Sequence, residues 1–287
     1  MARRRFRRIF GRWTLLTLLV ALLYVGYRQG LHRYLPGNLG GSGLQAEGPL
    51  AELLQDPQRL LVTQTPRSIR QQVVDHGVFV LGYAEEWEQP AWVGYLLTHT
   101  CLQNPTTSRT DDFRADEQIR TGSAALEDYR HSGYDRGHLA PAADFKCGRR
   151  GMSTTFLLSN ITPQDHSFNS GIWLELEKEV RRWARQHDSI LVITGPHLTE
   201  GLPTIGKNRV AVPKAFYKVI FDVSAPEVAA VAFYLPAENT AQPLTDFLIS
   251  VDELEQTTGL DFLAALPDSL EHPLEAEANA NYWFPVP

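Results

Sequence analysis

From Phe168 to His187 the apolar residues Ile172, Leu176, Val180 and Ala184 recur at i, i+4 spacing, with Trp173 and Trp183 widening the stripe. That period predicts an amphipathic helix, and it stands alone among segments of another kind. Val73–Tyr83, Ala91–Thr98, Thr154–Ser159, Ile190–Thr194, Arg209–Val212, Ala215–Phe221 and Val228–Leu235 are runs rich in β-branched and aromatic residues. Each is expected to be a strand. Val251–Thr258, closed by Gly259, reads as a second, short helix, and Gln103–Gly133 as mostly loop. Many strands around one strong helix argue for an α+β domain.

The N-terminus is of a different character. Arg3, Arg4, Arg5, Arg7, Arg8 and Arg12 precede an uncharged stretch, Trp13–Tyr27, which Arg28 closes. Residues 1–35 are therefore expected to form a basic end and a transmembrane signal-anchor helix, with the basic end inside and the rest led outward. The apolar run is 15 residues, short of the roughly 20 that span a bilayer core; snorkelling arginines and Ile9–Phe10 extend it. A cleaved signal peptide and an Arg-rich mitochondrial presequence are the rival readings. The domain is expected to face the periplasm, or alternatively the mitochondrial intermembrane space. Residues 36–65, opening with the Gly-rich Pro36–Gly43, read as linker, 66–267 as the folded domain, and 268–287 as an acidic tail.

Charge leaves nucleic-acid binding open. Eight of the 27 basic residues precede residue 36, so the rest of the chain sets 19 against 33 acids. Residues 101–220, however, hold 16 basic and 14 acidic residues, a balance compatible with a local basic groove. Cys101 and Cys147 are either a disulfide or two independent thiols.

Reactive side chains are densest at Asp135-Arg136-Gly137-His138, with Asn160, Asn169 and Glu177 downstream. Phosphodiester cleavage asks for a base near neutrality, which histidine supplies. It also asks for neutralisation of transition-state charge, which a hard divalent cation supplies. Magnesium takes oxygen ligands and needs few protein groups, and an arginine fork clamps phosphate. Taken alone, Asp-Arg-Gly-His reads rather as a salt-bridged turn with a solvated histidine. Asn160-Ile161-Thr162 is also an N-glycosylation acceptor pattern.

The larger set, His138, Leu158-Ser-Asn-Ile-Thr-Pro-Gln164, Asn169, Trp173, Leu176 and Glu177, resembles the DNA/RNA non-specific endonucleases of the ββα-metal type. The endonuclease G-like branch fits better than the secreted one. Thr194-Gly-Pro196, Ile205–Pro213, Phe216–Val219 and Thr258–Phe262 extend the resemblance over about 70–266. It implies a ββα-metal nuclease fold with mixed or antiparallel sheets flanked by helices, acting on both DNA and RNA. By that resemblance His138 is the general base, Asn169 the direct ligand of Mg2+ (or Mn2+), and Asn160 a support of the site. Glu177 then holds water on the metal from further out, and Arg136 lies within the motif. The phosphate-binding arginine is best matched by Arg114, with Arg109 the rival. The branch also admits a homodimer. Asn169 and Glu177 lie about 12 Å apart along an ideal helix, which disfavours both as direct ligands of one ion. The competing functions are a membrane-tethered nucleic-acid-binding module without catalysis, and a phosphodiesterase acting on another substrate.

Overall fold

The structure, a computed structural model, describes residues 44–45, 56–224 and 227–285. Before the long helix come β1 (Leu44–Gln45), β2 (Gln71–Asp75), β3 (Val80–Ala84), β4 (Gln89–Thr98), β5 (Asp135–His138) and β6 (Ile161–Gln164). After it come β7 (Ser189–Pro196), β8 (Thr204–Ile205), β9 (Val210–Ala211), β10 (Ala215–Asp222), β11 (Glu227–Pro236) and β12 (Leu248–Ile249). The helices are α1 (His99–Gln103), α2 (Leu126–Tyr129), α3 (Arg149–Thr154), α4 (His166–Ser170), α5 (Ile172–Gln186), α6 (Val251–Thr258), α7 (Asp268–Glu275) and α8 (Ala280–Trp283).

Eight strands form one antiparallel sheet in the order β1-β11-β10-β7-β4-β3-β2, with β12 beside β11. Both of its faces are covered. Val93, Tyr95 and Leu97 of β4 and Phe216 and Ile220 of β10 pack against Ile172, Trp173, Leu176, Val180 and Trp183 of α5. The alternate residues, Trp92, Tyr217, Val219 and Phe221, pack on the other face with Leu60, Leu61, Val251, Leu254 and Leu274. Every residue of β10 is buried as a result. This explains why these strands read as continuous apolar runs, although antiparallel sheets commonly keep one face wet. The α+β expectation holds, and the sheet is antiparallel rather than mixed.

Several local expectations change. Val73–Tyr83 is not one strand: Gly77, at φ +78°, donates its N–H to Asp75 Oδ1 at 2.6 Å and turns β2 back onto β3. Asp-His-Gly is the turn signal that the flanking valines obscured. Thr154–Ser159 is not a strand either, but the end of α3 followed by a tight turn at Leu158–Asn160. Its Phe156 and Leu158 are fully buried, so the run is apolar for packing and not for ladder pairing. The long helix is interrupted at Gly171, which separates α4 from α5. A Cβ there would lie 2.2 Å from Asn239 Oδ1, the atom that accepts the Ile172 N–H at 3.2 Å.

Packing also reaches beyond the expected domain limits. Among the described residues of the expected linker, Leu60 and Leu61 are buried, and Gln64 exchanges both backbone hydrogen bonds with Asp261. The acidic stretch after residue 267 forms α7 and α8, with Leu274 and Trp283 buried and Trp183 Nε1 donating to the Trp283 carbonyl at 2.8 Å. A few well-placed apolar residues outweigh its acidic composition. The anchor expected over 1–35 lies outside the described residues. Among the described residues no helix is long and apolar enough to cross a membrane.

Cys101 and Cys147 form a disulfide closing a separation of 46 residues. In the chain-entropy picture a loop of that size is worth about 4 kcal/mol.

Trp283 is the measure of how far the C-terminal stretch belongs to the core. Trp283→Ala should destabilise the domain by about 3–5 kcal/mol, read as a lower urea midpoint at unchanged slope; a loss below 0.5 kcal/mol, the range of surface substitutions, would return the stretch to the role of a tail.

Candidate active site

β5 and β6 pair from Asp135↔Gln164 to His138↔Ile161, and α4 follows β6 after one residue. The glycine of the motif is a packing requirement: a Cβ on Gly137 would sit 2.2 Å from the buried Gln164 side chain, its diagonal neighbour on the ladder. His138 ends β5.

His138 is 9% exposed and its Nε2 is buried without a hydrogen-bond partner among the described residues. Phe156 meets it edge-on at 4.9 Å between centroids, and Phe113 lies at 5.4 Å. Each of those rings carries an arginine. Arg109 Cζ sits 4.8 Å from the Phe156 centroid and Arg136 Cζ 4.1 Å from that of Phe113. Burial foremost, then the Arg109 guanidinium, pulls the imidazole pKa down to about 3; Asp111 opposes the fall and Arg136 adds to it.

Arg114, the favoured sequence candidate for phosphate, is committed elsewhere. Its Nη1 donates to the Asp112 carbonyl, to Asp112 Oδ2 and to the Ser153 carbonyl at 2.9–3.1 Å. It lines a cleft with His76, Asp116 and Arg150. Arg109, the rival, is the arginine brought to the imidazole together with Arg136.

Asp165 caps α4, its Oδ1 accepting from the Ser167 and Phe168 amides. That short helix presents Asn169, whose Nδ2 donates to Asp135 Oδ2 at 2.9 Å. The same oxygen is 2.9 Å from His166 Nδ1. Because Asp135 takes the amide nitrogen, the Asn169 carbonyl Oδ1 is turned away and enters no hydrogen bond among the described residues. An amide oxygen so freed is a hard donor of the kind that magnesium accepts.

Glu177 lies on α5, past the break at Gly171, so the ideal-helix separation from Asn169 does not apply. It is buried, not a surface partner of Arg181. Arg181 Nη1 is 3.7 Å from Glu177 Oε2 and 2.7 Å from Asp144 Oδ1, and Tyr95 donates to Asp144 Oδ2 at 2.9 Å. Fully buried Lys218 completes the group, with Nζ 3.0 Å from Thr194 Oγ1 and 4.6 Å from the Trp173 ring centre. Burial raises the Glu177 carboxyl and lowers the Lys218 amine, while Arg181 and Lys218 favour the ionised carboxylate.

Asn160 is wholly buried and fully used. It accepts from the Ala140 amide and donates to the Ala140 and Thr155 carbonyls, each at 2.9 Å. It braces the chain just beyond His138 and touches no solvent, so the sequon at this position is closed to a glycan in the folded chain. Sequence reasoning missed Phe113 and Phe156, which enclose the imidazole, and the orienting role of Asp135. Only Asp135 carried a signal, as part of the dense motif.

His138 on the two-stranded hairpin, the Asn169 amide oxygen on the helix after it, and Arg109 and Arg136 near the imidazole make up the candidate site. The profile of the DNA/RNA non-specific endonucleases matches residues 56–269. A mitochondrial nuclease of Saccharomyces cerevisiae is 35% identical over 225 residues, covering 70% of this chain and 68% of that protein. Human mitochondrial endonuclease G is 35% identical over 199 residues, covering 64% of this chain and 67% of that one. For the mitochondrial nuclease EXOG of Danio rerio the identity is 36% over 203 residues, and the chain spans 59% of that relative. A solved complex of EndoG with EndoGI is 32% identical at a TM-score of 0.63, covering 69% of this chain and 88% of that one. The chain belongs to the DNA/RNA non-specific endonuclease family, and it is a hydrolytic nuclease.

Because the folded pKa of His138 lies below the unfolded value of about 6.5, its neutral form is favoured by folding. That contribution to stability is complete above pH 6.5 and fades as pH falls toward 3. Nitrogen NMR of the metal-free protein should show a neutral His138 ring from pH 8 down to about 5; a midpoint near 6.5 would mean the ring is not enclosed.

Proposed function

We propose that this chain cleaves DNA and RNA internally and without sugar preference, leaving 5′-phosphate and 3′-hydroxyl ends. The observation that carries the proposal is the Asp135–Asn169 hydrogen bond, which leaves a carbonyl oxygen free beside the hairpin that bears the enclosed base. Asn169 would hold one divalent cation, Mg2+ with Mn2+ as substitute. When bound, that ion supplies charge neutralisation at the phosphate and the departing oxygen.

The protein groups do the rest. Arg109 and Arg136 engage the scissile phosphate, and Phe156 and Phe113 hold them beside His138. The anion offsets the guanidinium part of the imidazole's lowered pKa, which is second to burial. Since Nε2 is buried, Nδ1 of His138 is the nitrogen we assign to the water. It takes a proton as the water oxygen bonds to phosphorus; the P–O3′ bond breaks and the 3′ oxygen leaves with a proton from solvent. Glu177, directed by Arg181, orders water at the site. No base contact is required, which fits a nuclease indifferent to sequence. The Cys101–Cys147 disulfide supports an oxidising compartment outside the cytosol. That agrees with the periplasmic or intermembrane-space placement expected from the basic, apolar N-terminus.

A plasmid-nicking assay tests the core of this reading. The parent should nick with Mg2+ and stop with EDTA, and His138→Ala should be slower by about 10²- to 10⁴-fold. Retention of a tenth of the parent rate would remove His138 as the base, and cleavage unaffected by EDTA would remove the metal.

For the arginines, Arg109→Ala should cut the rate on DNA and RNA alike, by on the order of 10-fold or more, because a phosphate contact carries no sequence or sugar information. Arg114→Ala should change it less. The reverse order, measured on the same two substrates, would give the phosphate to Arg114.

A further inference from the structure

The face of the sheet away from α5 carries carboxylates that the nuclease centre does not use. Asp252 and Glu255 come from α6 and Glu275 from the end of α7, and one oxygen of each lies within 4.8 Å of the other two. Both helices pack on the Leu60 and Tyr217 side of the sheet, whereas α5 packs on the other. Glu275 is only 3% exposed, and its Oε1 is buried with no hydrogen-bond partner. Glu271 Oε1 is likewise buried and unpartnered, and Asp261 adds a further negative charge nearby. None of these five carboxylates has an ion-pair partner among the described residues.

A carboxylate stripped of water and given no partner must be matched by a proton or by a cation. A proton satisfies one oxygen, and the crowding does push Glu275 up to about 9 and Glu255 up to about 7, through burial first and neighbouring carboxylates second. It does not account for three carboxylates from two helices converging on one point. The orientation of Glu255 is fixed as well, since its Oε1 accepts the Phe262 amide at 2.7 Å.

We propose that Asp252, Glu255 and Glu275 form a structural calcium site that pins α7 to α6, separate from the nuclease centre. Ligand chemistry favours calcium over magnesium: calcium accepts several carboxylates in a flexible geometry, whereas magnesium is usually held by one or two and keeps its waters. The site also gives the acid-rich C-terminal stretch a reason to stay docked: its carboxylates become ligands in place of repelling neighbours.

Thermal unfolding of the EDTA-treated full chain tests this, with the parent compared to Glu275→Gln and to Asn169→Ala. Calcium at millimolar levels should raise the Tm of the parent by several degrees, and by more than magnesium does. The same rise should appear in Asn169→Ala, which lacks the proposed catalytic ligand, so the outcome is independent of the nuclease mechanism. Glu275→Gln should lose the calcium response. In EDTA it should melt no lower than the parent, because a neutral amide replaces an unpartnered buried acid. Should Glu275→Gln fail to fold, Glu255→Gln carries the same expectation, and equilibrium dialysis should find one calcium retained by the parent and by Asn169→Ala. No calcium-dependent rise in the parent, or an equal rise in the substituted chain, would overturn the proposal.

Discussion

A sheet covered on both faces imposes a partner on every polar group buried in it, and in this domain that requirement shapes the surroundings of Glu177. β10 is buried along its whole length, yet Lys218 stands in the middle of it on the α5 side. The lysine is tolerated because Thr194 and the Trp173 ring receive it and because Glu177, Asp144 and Arg181 share its charge field. Removing any one charge from such a set leaves another buried and unmatched, which is where the large penalties of buried ion networks come from. Glu177 is thus held by the core itself, not by a flexible surface pair.

The candidate site is built where chain segments leave that sheet. α5 is anchored by its apolar stripe, and the break at Gly171 lets the short α4 turn away from it, carrying Asn169 toward Asp135. The hairpin in turn tolerates its close approach only because Gly137 has no side chain. The loop that supplies Arg109 has little regular structure, and the Cys101–Cys147 bridge closes the segment containing it, Arg136 and His138 into a ring. Restricting the unfolded chain in this way offsets the entropy of ordering a long polar loop.

The enclosed His138 shows how packing and reactivity are joined. Phe113 and Phe156 deny water to Nε2 and at the same time provide the faces on which Arg136 and Arg109 rest. Burial first, and the Arg109 guanidinium second, hold the imidazole pKa low in the free protein.

The sequence by itself determined most of the large sheet's strands, the helix period of α5, the capped α6 and the ordered set His138, Asn160, Asn169 and Glu177, because periodicity, capping chemistry and motif spacing are local or ordered along the chain. It was silent or misleading wherever the deciding partner is distant. Thr154–Ser159 looked like a strand because burial and ladder pairing select the same apolar residues. Arg114 was the match for a phosphate arginine along the chain, and only the fold shows it bonded to Asp112 and Ser153 and Arg109 lying over Phe156. Only the tertiary structure decided that Cys101 meets Cys147, that Asp135 turns the Asn169 amide and that three carboxylates of α6 and α7 converge. Each of these depends on a separation in space that no spacing along the chain encodes.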